Sequence, residues 1–216
     1  MKYNGIGDKA YWEKFYSRRR EPFAPSLFAR YVLSRYLTGC DSLVELGCGN
    51  GRDAVYFAKQ GINVLAVDQC SNEIQFLSRA YPIGKLKFLC GDFTYLNENL
   101  RCSHVYSRFT MHSISTAGET AVLGWIHRAL KVGGYFLLEA RGKNNELYGK
   151  GESVPGEADA FIYDGHYRRF LDFKKVCTKL EEAGMEVIES AEDRGFAPFN
   201  ELDERFMRII AKKVAN

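Results

Sequence analysis

The chain has 216 residues with 30 basic and 27 acidic side chains, giving a formal net charge of +3. That length supports one domain with a substantial core, and a balance so near neutral argues against a dedicated nucleic-acid or membrane-surface protein. The polar start, Met1 to Asp8, lacks the apolar block of a leader, and no uncharged apolar run is long enough to span a bilayer. The six cysteines are scattered without a Cys-x-x-Cys pair, so they read as reduced, mostly buried thiols of a cytoplasmic protein.

In chain order, residues 9–20 place Trp12, Phe15 and Tyr16 on one helical face. Glu21-Pro22-Phe23-Ala24-Pro25 breaks that helix, and Ser26 caps a second one running to about Leu37. These two helices form an N-terminal cover over residues 1–40, packed on the sheet or lidding a ligand site. Strands are then expected at 42–46, 63–68, 85–90, 103–109 and 135–140, with helices at 51–60, 71–80 and 117–131 between them. Residues 142–165 carry five glycines and one proline without a long apolar repeat, and read as a loop insertion extending to about 170. A helix at 171–183 and strands at 185–191 and 205–214 close the chain. The alternation predicts an α/β fold, a doubly wound, mostly parallel sheet of seven strands with an antiparallel C-terminal hairpin, in a single domain.

The informative stretch is Glu45-Leu46-Gly47-Cys48-Gly49-Asn50-Gly51, a strand followed by a glycine turn and a helix start. Glycines there let the backbone turn sharply and approach a ligand. Asp68 ends the next apolar strand, and a carboxylate beside such a turn describes a nucleoside pocket. Ligands in these sheets bind beyond the carboxyl ends of the strands, where the turn, Asp68, Asp92 and the end of the fourth strand converge. A nicotinamide fingerprint requires Gly-x-Gly-x-x-Gly, but here the third glycine comes one position early, at Gly51, and Ala54 follows.

Together with Ala66-Val67-Asp68, Cys90-Gly91-Asp92-Phe93 and Leu130-Lys131-Val132-Gly133-Gly134, this stretch resembles the class I S-adenosylmethionine-dependent methyltransferases over residues 42 to about 140. The resemblance implies S-adenosylmethionine as cofactor. It places Gly47, Gly49 and Gly51 against the methionine part and ribose, with Glu45 ordering the turn and reaching the amino group. It puts Asp68 on the ribose hydroxyls and Gln69 beside the adenine. Asp92 would hold the adenine amino group, Phe93 would pack near the ring, and Ser107 or Arg108 would border the transferred methyl. The N-terminal Tyr-Trp-Glu-Lys-Phe-Tyr and the Gly-Asn-Gly-Arg-Asp-Ala turn resemble, more weakly, the thiopurine and tellurite-resistance methyltransferases, which would make the nucleophile sulfur or a chalcogen.

The acceptor must be read from the ends of strands four and five and the loops beyond them. Arg108, Arg141, His166, Arg168 and Arg169 are rich in the forked donors that hold phosphate or carboxylate oxygens. The expectation is a small anionic acceptor methylated on oxygen, substrate-binding residues Arg108, Arg141, His166, Arg168 and Arg169, and catalytic residues His112, Arg108 and His166. No Pro-Pro-aromatic run follows strand four and no basic tail is present, so no nucleic acid is expected as partner. Glu139 alone is inadequate as a metal site, so no metal is expected. A protein that binds the cofactor without methyl transfer is the alternative of another class.

Overall fold

The computed structural model describes residues 6–17, 24–39 and 41–214. The expected last turn of the first helix, Arg18 to Arg20, the break at Glu21-Pro22-Phe23, and Cys40 lie outside the described residues. The remaining five cysteines are all unbridged.

Helices α1 (Ile6–Ser17) and α2 (Leu27–Tyr36) precede the sheet. The Ser26 side chain accepts the Ala29 N–H and caps α2, as its position predicts. Strand β1 (Ser42–Leu46), helix α3 (Arg52–Lys59), strand β2 (Asn63–Asp68), helix α4 (Ser71–Ala80) and strand β3 (Leu86–Cys90) make the first half. Strand β4 (Cys102–Arg108), helix α5 (Thr116–Ala129) and strand β5 (Leu130–Ala140) follow. β5 starts earlier than expected because Leu130 already pairs with Cys102, and a register shift then carries the chain to the Tyr135–His104 pair. That bulge absorbs Gly133 and Gly134 inside the strand.

Residues 152–169 are not an irregular loop. They form a small antiparallel sheet of β6 (Glu152–Ser153), β7 (Ala160–Tyr163) and β8 (His166–Arg169). Strands of two to four residues are too short for an alternating pattern to stand out from the glycines around them. Helix α6 (Phe173–Glu182), strand β9 (Met185–Asp193) and strand β10 (Phe206–Lys213) complete the chain.

The main sheet has the order β3-β2-β1-β4-β5-β10-β9. β10 runs antiparallel to both β5 and β9, while the other pairs are parallel. Its two faces carry two cores. Val44, Leu46, Phe136 and Leu138 face α5 and α6, while Leu43, Val64, Ala66 and Leu137 face α2 and α3. This is the period-two alternation of a sheet covered on both sides. A polar cluster fixes α2. Asp53 at the start of α3 accepts Ser26 N–H at 2.7 Å, Ser26 Oγ at 2.8 Å and the Tyr106 hydroxyl at 2.9 Å. The order reverses between β1 and β4, which opens a crevice at the carboxyl ends of the strands.

Candidate functional site

The glycine turn leaves β1 at that crevice. Gly47 and Gly49 hold φ values of +68° and +53°, which side chains avoid. Space forbids a side chain as well: a Cβ on Gly47 would overlap the Thr110 side chain, and one on Gly49 would overlap the Tyr16 phenol. Gly51 has a different task. It is the left-handed N-cap of α3, and a Cβ there would press on Leu77 and Phe88 at 3.1–3.2 Å. It joins helix to sheet and does not line the cavity.

Two carboxylates organise the turn. Asp68 at the end of β2 accepts the Gly49 N–H on Oδ2 and the Cys70 N–H on Oδ1, both at 2.9 Å. Glu45 is only 4% exposed, and its Oε2 has no hydrogen-bond partner among the described residues. Burial pushes the Glu45 carboxyl well above the carboxylate range, and Asp53 adds to this. Glu45 lines the cavity, where a bound molecule can supply the missing partner. Cys48, inside the turn, is an inert thiol whose titration burial drives upward.

Gln69, Asp92 and Phe93 line the same cavity. Asp92 also starts the turn after β3, with Oδ1 accepting the Thr94 N–H at 2.8 Å and the Thr94 hydroxyl at 2.7 Å. Ser107 does not reach the cavity. It is fully buried, and its hydroxyl bonds Thr110 Oγ1 at 2.6 Å. Thr110, three residues on, takes the lining position.

Helix α1 closes the crevice, while α2 packs on the sheet. Trp12, Phe15 and Tyr16 line the cavity, and Trp12 stacks on Tyr16 with centroids 5.7 Å apart. The Tyr16 hydroxyl is pushed well up by burial and then by the Asp68 charge. The sequence pointed to this aromatic face but not to its proximity to Asp68, which only the tertiary fold creates.

The cavity encloses about 1040 Å³ and extends from the glycine turn to β8 and the loop before β10. Arg108, Arg141 and Arg168 line it, but two of them are already paired. Arg108 Nε donates to Glu139 Oε1 at 2.8 Å, and Arg208 Nε donates to Glu139 Oε2 at 2.7 Å. Arg141 Nη1 donates to Glu204 at 2.7 Å and to Asn145 at 2.8 Å. Arg168 Nη1 donates to the Tyr163 carbonyl at 2.9 Å. Among the described residues no carboxylate comes within ion-pairing distance of Arg168. Burial and the nearby Arg141 charge weaken its hold on its proton.

Three expected acceptor-side residues fall elsewhere. Arg169 is buried and tied to Glu119 and to the Ile114 and Met111 carbonyls, so it braces β8 against α5. His112 is buried outside the lining, and its Nδ1 accepts the Arg141 N–H at 3.2 Å. Burial, then Arg141, hold it well below the ordinary imidazole range. His166 is buried beneath α1, stacked on Tyr11 at 4.5 Å and edge-on to Trp12 at 4.8 Å. Burial, then Arg168, push it down to about 3. Both imidazoles lie outside the cavity lining, and burial disfavours their charged forms. Among the described residues no three metal-binding side chains gather in one place.

One wall of the cavity was not foreseen. Phe109 follows β4 with φ +61°, a costly conformation for an aromatic residue. The Arg108 guanidinium stands 3.9 Å over its ring, and Phe206 stacks on it at 4.6 Å with planes 27° apart. Arg141 stands 4.8 Å over Phe206.

Residues 43–134 match the family model described as a methyltransferase domain. The S-adenosyl-L-methionine-dependent Diels-Alderase iccD of Talaromyces variabilis is 31% identical in a match 170 residues long that covers 68% of this chain and 54% of that protein. The chain thus spans about half the length of that curated relative. The CcbJ methyltransferase of Streptomyces caelestis superposes with a TM-score of 0.72 at 18% identity, covering 99% of this chain and 100% of that one. The 1,6-didemethyltoxoflavin-N1-methyltransferase of Burkholderia thailandensis, solved with its substrate and S-adenosylhomocysteine, gives 0.71 at 18% identity, covering 96% and 87%.

Proposed function

Because this chain belongs to the class I S-adenosylmethionine-dependent methyltransferases, we propose that it transfers a methyl group to a small acceptor bound in the cavity beside the glycine turn. The observation that carries the reading is the turn itself. Two glycines leave the backbone bare, Asp68 clasps Gly49 from the next strand, and the buried Glu45 Oε2 has no partner among the described residues.

These groups fit the cofactor. Each Asp68 oxygen already accepts one loop N–H and retains a lone pair for a ribose hydroxyl. Gln69, Asp92 and Phe93 form the adenine end, with Asp92 Oδ2 left for the exocyclic amine. Gly47 and Gly49 admit the methionine part. Glu45, whose charged form burial disfavours, would ionise more readily against an ammonium group. When bound, the cofactor supplies a methyl carbon on a sulfonium, with its own leaving group.

The chain's remaining task is to position the acceptor and exclude water. Trp12, Phe15 and Tyr16 of α1 do the second. His112 acts by holding the Arg141 backbone, and Arg108 and Arg141 by shaping the wall. Of the three arginines on the acceptor side, Arg168 is the one with no carboxylate within ion-pairing distance among the described residues, which supports an anionic acceptor; Arg52 lines the cavity by the glycine turn, 3.9 Å from Asp53.

A second reading is favoured by the similarity to a Diels-Alderase, namely cofactor binding without methyl transfer. Incubation with methyl-labelled S-adenosylmethionine and a panel of small carboxylates, phenols and phosphates separates the two. Methyl transfer predicts label in an acceptor and equimolar S-adenosylhomocysteine. Saturable cofactor binding with no S-adenosylhomocysteine formed across the panel supports the second reading and overturns the first.

A further inference from the structure

The cavity wall at the end of β4 has an order that sets its electrostatics. Two groups as close to one ring as Arg108 and Phe206 are to Phe109, 3.9 and 4.6 Å, cannot share a face. The same holds for Phe109 and Arg141 about Phe206, at 4.6 and 4.8 Å. The layers therefore run Arg108, Phe109, Phe206, Arg141, with both ring faces of each phenylalanine covered. What such a stack turns toward the cavity is ring edges, which carry the positive part of the aromatic quadrupole. Cations on the outer faces draw electron density inward and strengthen that character.

Each outer arginine already holds a carboxylate, Arg141 that of Glu204 and Arg108 that of Glu139, which it shares with Arg208. The edge wall thus prefers an electron-rich π face without itself demanding an anion. Arg168 adds that demand. It lines the same cavity from β8 and has no carboxylate within ion-pairing distance among the described residues. Trp12 and Phe15 add apolar surface on the α1 side.

We propose that the cavity selects a planar, electron-rich aromatic acceptor bearing one anionic oxygen, its ring face against the edge of Phe109, which the buried Phe206 backs, and its anion on Arg168. This names the acceptor class of the site proposed above and rests on that reading. A phosphate on a non-aromatic carrier fits less well, because the single charge of Arg168 would face a dianion and the edge wall would face no π system. The left-handed Phe109 is the positioning residue: its backbone strain is what turns the ring into the stack.

The test uses the full chain saturated with S-adenosylhomocysteine and three probes measured by calorimetry. These are 2-naphthoate, its neutral amide, and the saturated decalin-2-carboxylate. The expected result is that naphthoate binds at least about tenfold tighter than either comparison, one charge-assisted bond or one aromatic contact each. Arg168→Gln should abolish the preference over the amide and keep that over decalin carboxylate. Phe206→Leu should do the reverse. Equal binding of the three probes, no binding of naphthoate to the loaded protein, or indifference to both substitutions would overturn the proposal. Failure to load S-adenosylhomocysteine would instead strike at the cofactor reading, so the two failures are distinguishable.

Discussion

Asp68 locks the glycine turn to its neighbouring strand, its Oδ2 accepting the Gly49 N–H at 2.9 Å. The contact sets the backbone where a nucleoside sugar would meet it, and the carboxylate lines the cavity. Shape and charge of the site therefore depend on one side chain.

Asp68→Asn keeps the volume and removes the charge. Loss of a charge-assisted hydrogen bond is worth about 1.5–3 kcal/mol, so S-adenosylhomocysteine should bind roughly 10–100-fold more weakly. Calorimetry on the variant, with circular dichroism to verify folding, checks this. An affinity within a factor of about two of the parent would remove Asp68 from the site.

Asp53 anchors α2 by accepting three donors, from Ser26 N–H, Ser26 Oγ and Tyr106. Tyr106→Phe should lower stability by about 1 kcal/mol. Asp53→Ala leaves buried donors unsatisfied and should cost about 2–4 kcal/mol. Urea titration reads both, and equal losses for the two variants would contradict a shared acceptor.

The acid limb of stability should carry a histidine signature. His104 Nδ1 accepts the Tyr135 N–H at 3.1 Å, and burial pushes the imidazole down to about 4. Its folded pKa lies below the unfolded value of about 6.5, so the unfolded chain binds the extra proton. Its contribution is complete above about pH 6.5 and is lost as pH falls toward 4, with a slope of up to about 1.4 kcal/mol per unit. His104→Asn removes the titration, and its stability curve should be shallower than the parent's in that window. Parallel curves would rule out a neutral native His104.

Phe109 provides a direct measure of strain. At φ +61° a glycine is at ease and an alanine is not. Phe109→Gly should therefore be more stable than Phe109→Ala by about 1 kcal/mol, against the usual order for the pair. Chemical denaturation of the two variants decides it, and an alanine variant as stable as the glycine one would argue against the left-handed backbone.

The sheet was legible because its strands are apolar runs set off by glycine turns, and Ser26, Asp68 and the glycines stand where local pattern puts them. The acceptor side was not. Arg108 and Arg141 look free in sequence, yet their partners Glu139 and Glu204 lie 31 and 63 residues away. Arg169 likewise meets Glu119 on another element. His112 and His166 read as catalytic by type, but burial decides their protonation, and burial is a property of the packed chain. The Phe109–Phe206 stack joins the ends of β4 and β10, which no local spacing reveals. Gly51 misled in a milder way: its conformation belongs to the turn, but its contacts are to Leu77 and Phe88.

The central claim is that the glycine turn holds S-adenosylmethionine. Parallel calorimetric titration of the full chain with S-adenosylhomocysteine and with NAD tests it most directly. The account predicts one S-adenosylhomocysteine per chain and no saturable heat from NAD. Binding of NAD in preference, or no binding of S-adenosylhomocysteine by the folded protein, would contradict it.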